Sequence, residues 1–236
     1  MNRKVLFFGR HNCIYSQKIY VFLKKNFNKV TFVKSKKIGE KLNENNKLLR
    51  KNFDYIFSFR SYYVLDKILS KVNLYAINFH PCTPKYRGSG GVNYSIYKDK
   101  YFGCTAHLMN KKIDSGKIID VKYFRLRETA TIDNVLNKAY ALQFRQIVKI
   151  IKGIKTDSEY IEKHLKKNKK IKWSKKFYTI KMLEKFYEIN CKISKKNILK
   201  KIKSTVFKKF KPFIVLHGKK FNHMYDFGLK FKGINR

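Results

Sequence analysis

Acid is scarce in this chain: 15 Asp and Glu stand against 56 Lys and Arg, a formal net charge of +41 over 236 residues. Such a balance invites an anionic partner, whether nucleic acid, a membrane surface or a phosphorylated small molecule. Arginine is scarce too, only nine residues, and lysine is the poorer reader of phosphates and base edges because it lacks the planar fork. With abundant Asn, Ile, Tyr and Phe beside it, the lysine excess reads equally as compositional drift. Cysteine is limited to Cys13, Cys82, Cys104 and Cys191 with no CxxC pair, which argues against a disulfide framework or a zinc site and for free thiols in a reducing cytosol. No apolar run approaches the ~20 residues a membrane-spanning helix requires, and the short apolar segment near the N-terminus is too brief for a signal-peptide core. The expected location is cytoplasmic, with no transmembrane segment.

What is present is a 44% hydrophobic chain long enough for one sizeable domain or a domain with an appendage. Its first half alternates short β-branched and aromatic runs with helical spacing. The runs KVLFF (4–8), VTFV (30–33), YIFSF (55–59) and LYAINF (74–79) predict strands. Helices are expected over 16–27, 38–51 and 64–69. This alternation predicts an α/β fold: a Rossmann-like, mostly parallel sheet with helices on both faces and ligands beyond the carboxyl ends of its strands. Gly9 ends the first strand without a GxGxxG fingerprint, so a dinucleotide site is not supported. VNYSIYK (92–98) predicts a further helix, and CTAHLM (104–109) with KIIDVKYF (117–124) an antiparallel hairpin. A long amphipathic helix follows over 131–154, capped by Thr131. The domain organisation expected is a catalytic unit over 1–155 and a small annex over 156–236. In the annex, Thr179 caps a helix and Gly218 turns a β-hairpin. Residues 149–211 hold 22 lysines and five acids, so any polyanion surface has to lie there.

The irregular backbone concentrates in NFHPCTPKYRGSGGVNY (78–94), which holds two of the three prolines. His80 follows a buried strand and suits proton movement near neutrality. Asn78, two residues earlier on the same face, can donate its amide to a developing oxyanion. Asp114, in the turn between two later strands, can orient His80 if the sheet brings the turn beside it. His107 can support that carboxylate. Ser89 lacks a GxSxG elbow, and no HExxH accompanies the histidines. YRGSGG can cradle an anion through its backbone N–H groups, with Arg87 as charge partner. The residues alone reach an α/β enzyme that transfers a proton next to an oxyanion, with the substrate open.

The segments NFHPCTPKYRGSGGVNYSIY and FGCTAHLMNKKIDSGKII resemble the folate-dependent formyltransferases, a family that includes the purine, methionyl-tRNA and sugar-nucleotide enzymes. The family pattern is Asn-x-His-Pro at a strand end, Pro-x-Tyr/Phe-x-Gly, a Thr-x-His strand and an Asp-x-Gly-x-Ile-Ile turn, and all four elements stand here in order. The resemblance implies that Asn78, His80 and Asp114 are the catalytic trio, with His107 supporting, and that N10-formyltetrahydrofolate is the donor. It implies a pterin pocket edged by Arg60 and Tyr62. Tyr86, Arg87, Gly88 and Tyr94 are the expected acceptor contacts, and Trp173 and Tyr178 are further aromatics able to stack on a base. The compact HPCTPKYRGSGG loop and short annex are similar to the sugar-nucleotide N-formyltransferases, which implies a nucleotide-linked 4-amino-4-deoxy sugar as acceptor and a homodimer. A methionyl-tRNA formyltransferase-like enzyme and a basic RNA-binding module remain the alternatives.

Overall fold

The β-branched and aromatic runs form strands, as seen in a computed structural model that describes residues 2–208 and 210–222. In chain order the first elements are β1 (Lys4–Arg10), α1 (Ile14–Asn26), β2 (Lys29–Ser35), β3 (Phe53–Phe59) and β4 (Val72–His80). Next come the two-residue β5 (Arg87–Gly88), α2 (Gly91–Lys98), β6 (Tyr101–Leu108), β7 (Ile118–Arg125) and α3 (Ile132–Thr156). Six strands make one sheet in the order β2-β1-β3-β4-β6-β7. The first four run parallel, and β6 and β7 are antiparallel additions at one side.

Alternation along the strands sorts the core. Val5, Phe7, Tyr55, Phe57 and Ile77 face α1 and α3, burying against Ile19, Leu23, Ile147 and Ile151. Each such branched or aromatic side chain contributes roughly 1.5–3 kcal/mol on leaving water. Leu6, Phe8, Ile56 and Ala76 point to the opposite face. There the cover differs from the expected helices. Residues 38–51 form only a 3-10 turn at Lys47–Arg50, and the 64–69 helix shrinks to a 3-10 turn at Lys67–Lys71. The reason is local competition. Asn43 Oδ1 accepts from Asn45 N, Asn46 Oδ1 accepts from Leu48 N and Glu40 accepts from the N–H groups of Lys36 and Lys37, so side chains take backbone donors that a helix needs. Gly39 at φ +82 breaks the segment further.

The long helix forms as expected: Thr131 accepts from Asn134 N at its start. The annex contributes α4 (Tyr160–Lys167), β8 (Phe177–Tyr178), α5 (Ile180–Phe186), α6 (Lys195–Lys203), β9 (Phe213–Leu216) and β10 (Lys219–Asn222). Thr179 caps α5 through Met182 N, and the β9–β10 hairpin turns at His217 and Gly218, both at positive φ. Residues 223–236 of the expected annex lie outside the described residues. Its first part is fastened to the sheet: Ile161 is buried in the core, Tyr75 donates its hydroxyl to Glu162, and Asn168 Nδ2 donates to Ile119 O. The β8 strand pairs in parallel with β5.

Candidate active site

Sheet geometry alone assembles three of the four polar side chains. Asn78 and His80 are two apart on β4 and share a face, and the antiparallel register sets Asn78 opposite His107 on β6. His80 is the last residue of β4, so its ring stands at the strand's carboxyl end. The fourth arrives from the β6–β7 connection. Gly116 lets that turn close, because a Cβ there would overlap Leu108 O. Asn110 Oδ1 accepts from Lys112 N and from Ser115 Oγ within the turn. The product is Asp114 at φ +46, aimed back at the sheet.

Asp114 is the centre of the cluster. Its Oδ2 lies 3.3 Å from His80 Nδ1 and 3.1 Å from Gly88 N. Its Oδ1 lies 3.5 Å from both His107 Nε2 and Asn78 Nδ2. The other nitrogen of His80 faces Tyr86 O at 3.0 Å. A carboxylate and a carbonyl only accept, so a ring protonated on both nitrogens satisfies both neighbours. His107 donates Nδ1–H to Leu108 O at 2.7 Å, and its Nε2 faces both Asn78 Nδ2 at 3.1 Å and Asp114 Oδ1 at 3.5 Å. Asp114 is 7% exposed. Burial alone pushes its carboxyl up. The charge of His80 is the largest opposing influence, joined by His107 and by the Gly88 N–H, and together they hold the carboxyl down at about 2.

The cluster opens into a cleft of about 510 Å³ bordered by Arg60, Tyr62, Asn78, His80, His107 and Asp114. Arg60 and Tyr62 therefore stand where the sequence places them. Tyr62's backbone, however, is spent inside the protein, donating to Ser35 Oγ and accepting from Gly39 N. Arg60 stacks on Tyr140, and its buried Nε has no hydrogen-bond partner among the described residues.

Three expected acceptor contacts need correction. The Tyr86 and Tyr94 rings are 1% and 5% exposed and stack on each other in a core cluster shared with Val135 and Ala139. Their apolar rings gain more from that core than from the cleft, and Tyr86 serves the site only through its carbonyl. Arg87 turns away from the cleft and gives its guanidinium to backbone carbonyls. Nor is YRGSGG a free anion cradle: Gly88 N donates to Asp114 and Ser89 N to Tyr178 O. Gly88 does border the cleft. Tyr178 packs on Tyr86 and Tyr94 rather than offering a stacking face.

One support escaped sequence reasoning and a second was given another role. Gln143 sits on the apolar stripe of α3, between Ala139 and Ile147 at helical spacing, and donates Nε2 to Phe79 O beside His80. A polar residue on a buried stripe was the available signal. Trp173 donates its indole N–H to Gly116 O and sets its ring edgewise to both His80 and His107, with centroids 5.8 and 4.9 Å apart. The sequence offers it as a base-stacking ring or annex core; the structure makes it a wall behind the histidines.

Residues 7–151 match the family model described as Formyl transferase. The chain belongs to the formyl transferase family. Among curated relatives it is 26% identical over 187 residues to the bifunctional polymyxin resistance protein ArnA of Wigglesworthia glossinidia brevipalpis, an alignment covering 73% of this chain and 27% of the relative. It is 29% identical over 121 residues to methionyl-tRNA formyltransferase of the same organism, covering 46% of this chain and 38% of that protein. The chain thus spans well under half of either relative. Solved structures match nearly end to end. A 4-N formyltransferase from Francisella tularensis aligns with a TM-score of 0.68 at 19% identity, covering 93% of this chain and 96% of that one. An N-formyltransferase from Helicobacter canadensis, in complex with folinic acid and dTDP-3-aminofucose, aligns at 0.65 and 18%, covering 93% and 86%. At these identities the likeness is one of fold.

Proposed function

We propose that this formyl transferase family member passes the formyl group of N10-formyltetrahydrofolate to the amine of a nucleotide-linked amino sugar. The observation that carries the proposal is the buried Asp114 carboxylate with Asn78, His80 and His107 within 3.5 Å of it, at the mouth of a cleft. Attack of an amine on the formyl carbon forms the new C–N bond and puts negative charge on oxygen and an extra proton on the amine nitrogen; completion breaks the bond from the formyl carbon to N10, and the amine's proton goes to N10 of the departing tetrahydrofolate. The Asn78 amide and a protonated His80 are the donors for that oxygen, once Asn78 Nδ2 gives up His107 or Asp114 and His80 Nε2 gives up Tyr86 O. Asp114 keeps the imidazole charged and takes part in moving the proton from nitrogen. The unpartnered Arg60 Nε is a donor that a pterin oxygen or ring nitrogen would satisfy, which fits the donor beside Arg60 and Tyr62.

For the acceptor, Arg10, Lys111 and Lys112 border the cleft and supply positive charge toward a diphosphate. Gly88, Ser89 and Phe177 border it as well. Pairing into a homodimer belongs to the same proposal, supported by the exposed apolar Val215 and Leu216 of the annex hairpin. So does a cytosolic location: no helix among the described residues is long and apolar enough to cross a membrane. The similarity to a methionyl-tRNA formyltransferase and the lysine-rich 149–211 segment favour aminoacylated tRNA as the second reading.

The test incubates the full chain with formyl-folate and a panel of dTDP-, UDP- and GDP-linked amino sugars, with methionyl-tRNA alongside. Transfer to a sugar nucleotide is expected, and H80A should reduce it by at least a hundredfold. Salt-sensitive RNA binding without transfer would instead support the RNA-binding module. Full activity in H80A would defeat the assignment of the site.

A further inference from the structure

Arg87 meets the Asp114 turn with its whole guanidinium. Nε donates to Asp114 O at 2.6 Å, Nη2 to Ile113 O at 3.2 Å and Nη1 to Ser174 O at 3.4 Å. The next residue, Gly88, donates its backbone N–H to Asp114 Oδ2 at 3.1 Å. Two consecutive residues thus hold one acid, the first by its backbone carbonyl and the second by its carboxylate. The grip has a purpose that the turn itself states: Asp114 sits at positive φ, a conformation a non-glycine residue holds only when its surroundings over-determine it.

We infer that Arg87 is a positioning residue for the Asp114–His80 pair rather than a ligand for the acceptor's phosphates, and that the annex completes its seat through Ser174. This rests on the formyl-transfer reading of the site. Each guanidinium nitrogen already donates to a carbonyl, which uses three of its five N–H groups and holds the side chain against the turn and Ser174, off the lining of the cleft. A planar fork is required for this role. Lysine offers one point of charge on a flexible stem and replaces at most part of a three-carbonyl seat. The brace has no fixed floor without residues beyond 155: Ser174 N donates to Pro84 O, Ser89 N to Tyr178 O, and β5 pairs with β8. Gly88 must be glycine for that pairing, because its φ is +84 and a Cβ would overlap Tyr178 O.

The test compares wild type with R87K, R87A and R87Q. It reads steady-state formyl transfer from formyl-folate to the best amino-sugar nucleotide of the panel, and the imidazole ¹⁵N resonances of His80 and His107 in the full chain. Positioning predicts that R87K loses at least tenfold in kcat, keeps the acceptor KM within about twofold, rescues little relative to R87A and shifts the His80 resonances. A raised acceptor KM with kcat retained, substantial rescue by R87K and unmoved His80 resonances would overturn it in favour of phosphate binding. Unfolding of both R87K and R87Q, read by circular dichroism, would also overturn it, because the role would then be structural alone. If wild type transfers formyl to no amino-sugar nucleotide, the functional proposal fails, while the imidazole spectra still decide whether Arg87 holds Asp114 against His80.

Discussion

Replacing Asp114 by Asn removes one charge, keeps the side chain's size and turns one of its two acceptor oxygens into an NH2 donor. Asparagine tolerates positive φ better than most residues, so the turn at φ +46 keeps its shape, and the amide fills the volume of the carboxyl. The carboxyl is held at about 2 against an ordinary 3.8. A folded-state value below the unfolded one means that the unfolded chain binds more protons between the two, so stability rises with pH across that window. The stabilisation is fully present above about pH 4 and amounts to about 2 kcal/mol at neutrality, falling to about 1 kcal/mol at pH 3. Urea denaturation followed by circular dichroism at pH 7, 5, 4 and 3 reads it. D114N is expected to be about 2 kcal/mol less stable than wild type at pH 7 and 5, with the gap roughly halved at pH 3. A gap that stays constant from pH 5 to 3, or none at pH 7, would refute the claim that His80, His107 and Gly88 outweigh burial. The same variant should lose formyl transfer at pH 7.

Three further substitutions separate the supports of the site from the site itself. G88A places a side chain at φ +84 and against Tyr178 O; the left-handed conformation alone costs about 1 kcal/mol, so a loss of at least about 2 kcal/mol in urea, together with lowered transfer, is expected. T131A removes the α3 cap on Asn134 N and should cost about 1 kcal/mol while transfer per folded molecule stays at the wild-type level, since the cap does not border the cleft. N93A leaves the buried Ser204 carbonyl without its 2.7 Å donor, a loss of about 1–3 kcal/mol. Limited proteolysis should then cut the α6 region sooner than in wild type, and an unchanged cleavage rate would show that this bond does not hold the annex.

Legibility in the sequence followed how local the determining physics is. Strands β1, β3 and β4 were legible because short β-branched and aromatic runs bounded by polar turns leave little choice, and α3 because its apolar stripe recurs through more than six turns behind a threonine cap. The 38–51 segment misled because Asn and Glu side chains bond their own backbone, a competition that periodicity does not register. Within the site, Asn78 and His80 were readable as a same-face pair, and the juxtaposition with Asp114 as a condition on the turn. The fates of Tyr86, Tyr94 and Arg87 were not readable. A tyrosine in a glycine-rich loop looks like a ligand contact until the fold supplies Val135 and Ala139 from α3 beneath it. An arginine looks like a phosphate partner until the turn from residue 110 onward presents it with carbonyls.

The scarcity of acid gives Asp114 its weight. Among the described residues it is the only buried Asp or Glu, and the other described carboxylates keep some exposure to water. Burying a carboxylate is costly unless cations and N–H groups surround it, and here the surrounding groups are two histidines, an amide and one backbone N–H. A charge kept only for the fold would need a fixed partner such as arginine. A charge flanked by titratable imidazoles at the mouth of a cleft is suited to moving protons. The lysine excess bears on this only at a distance. On the proposed function it would set the field that draws an anionic acceptor toward the protein, while the amine would meet the few groups within reach of Asp114, braced from outside the matched segment by Trp173 and Ser174.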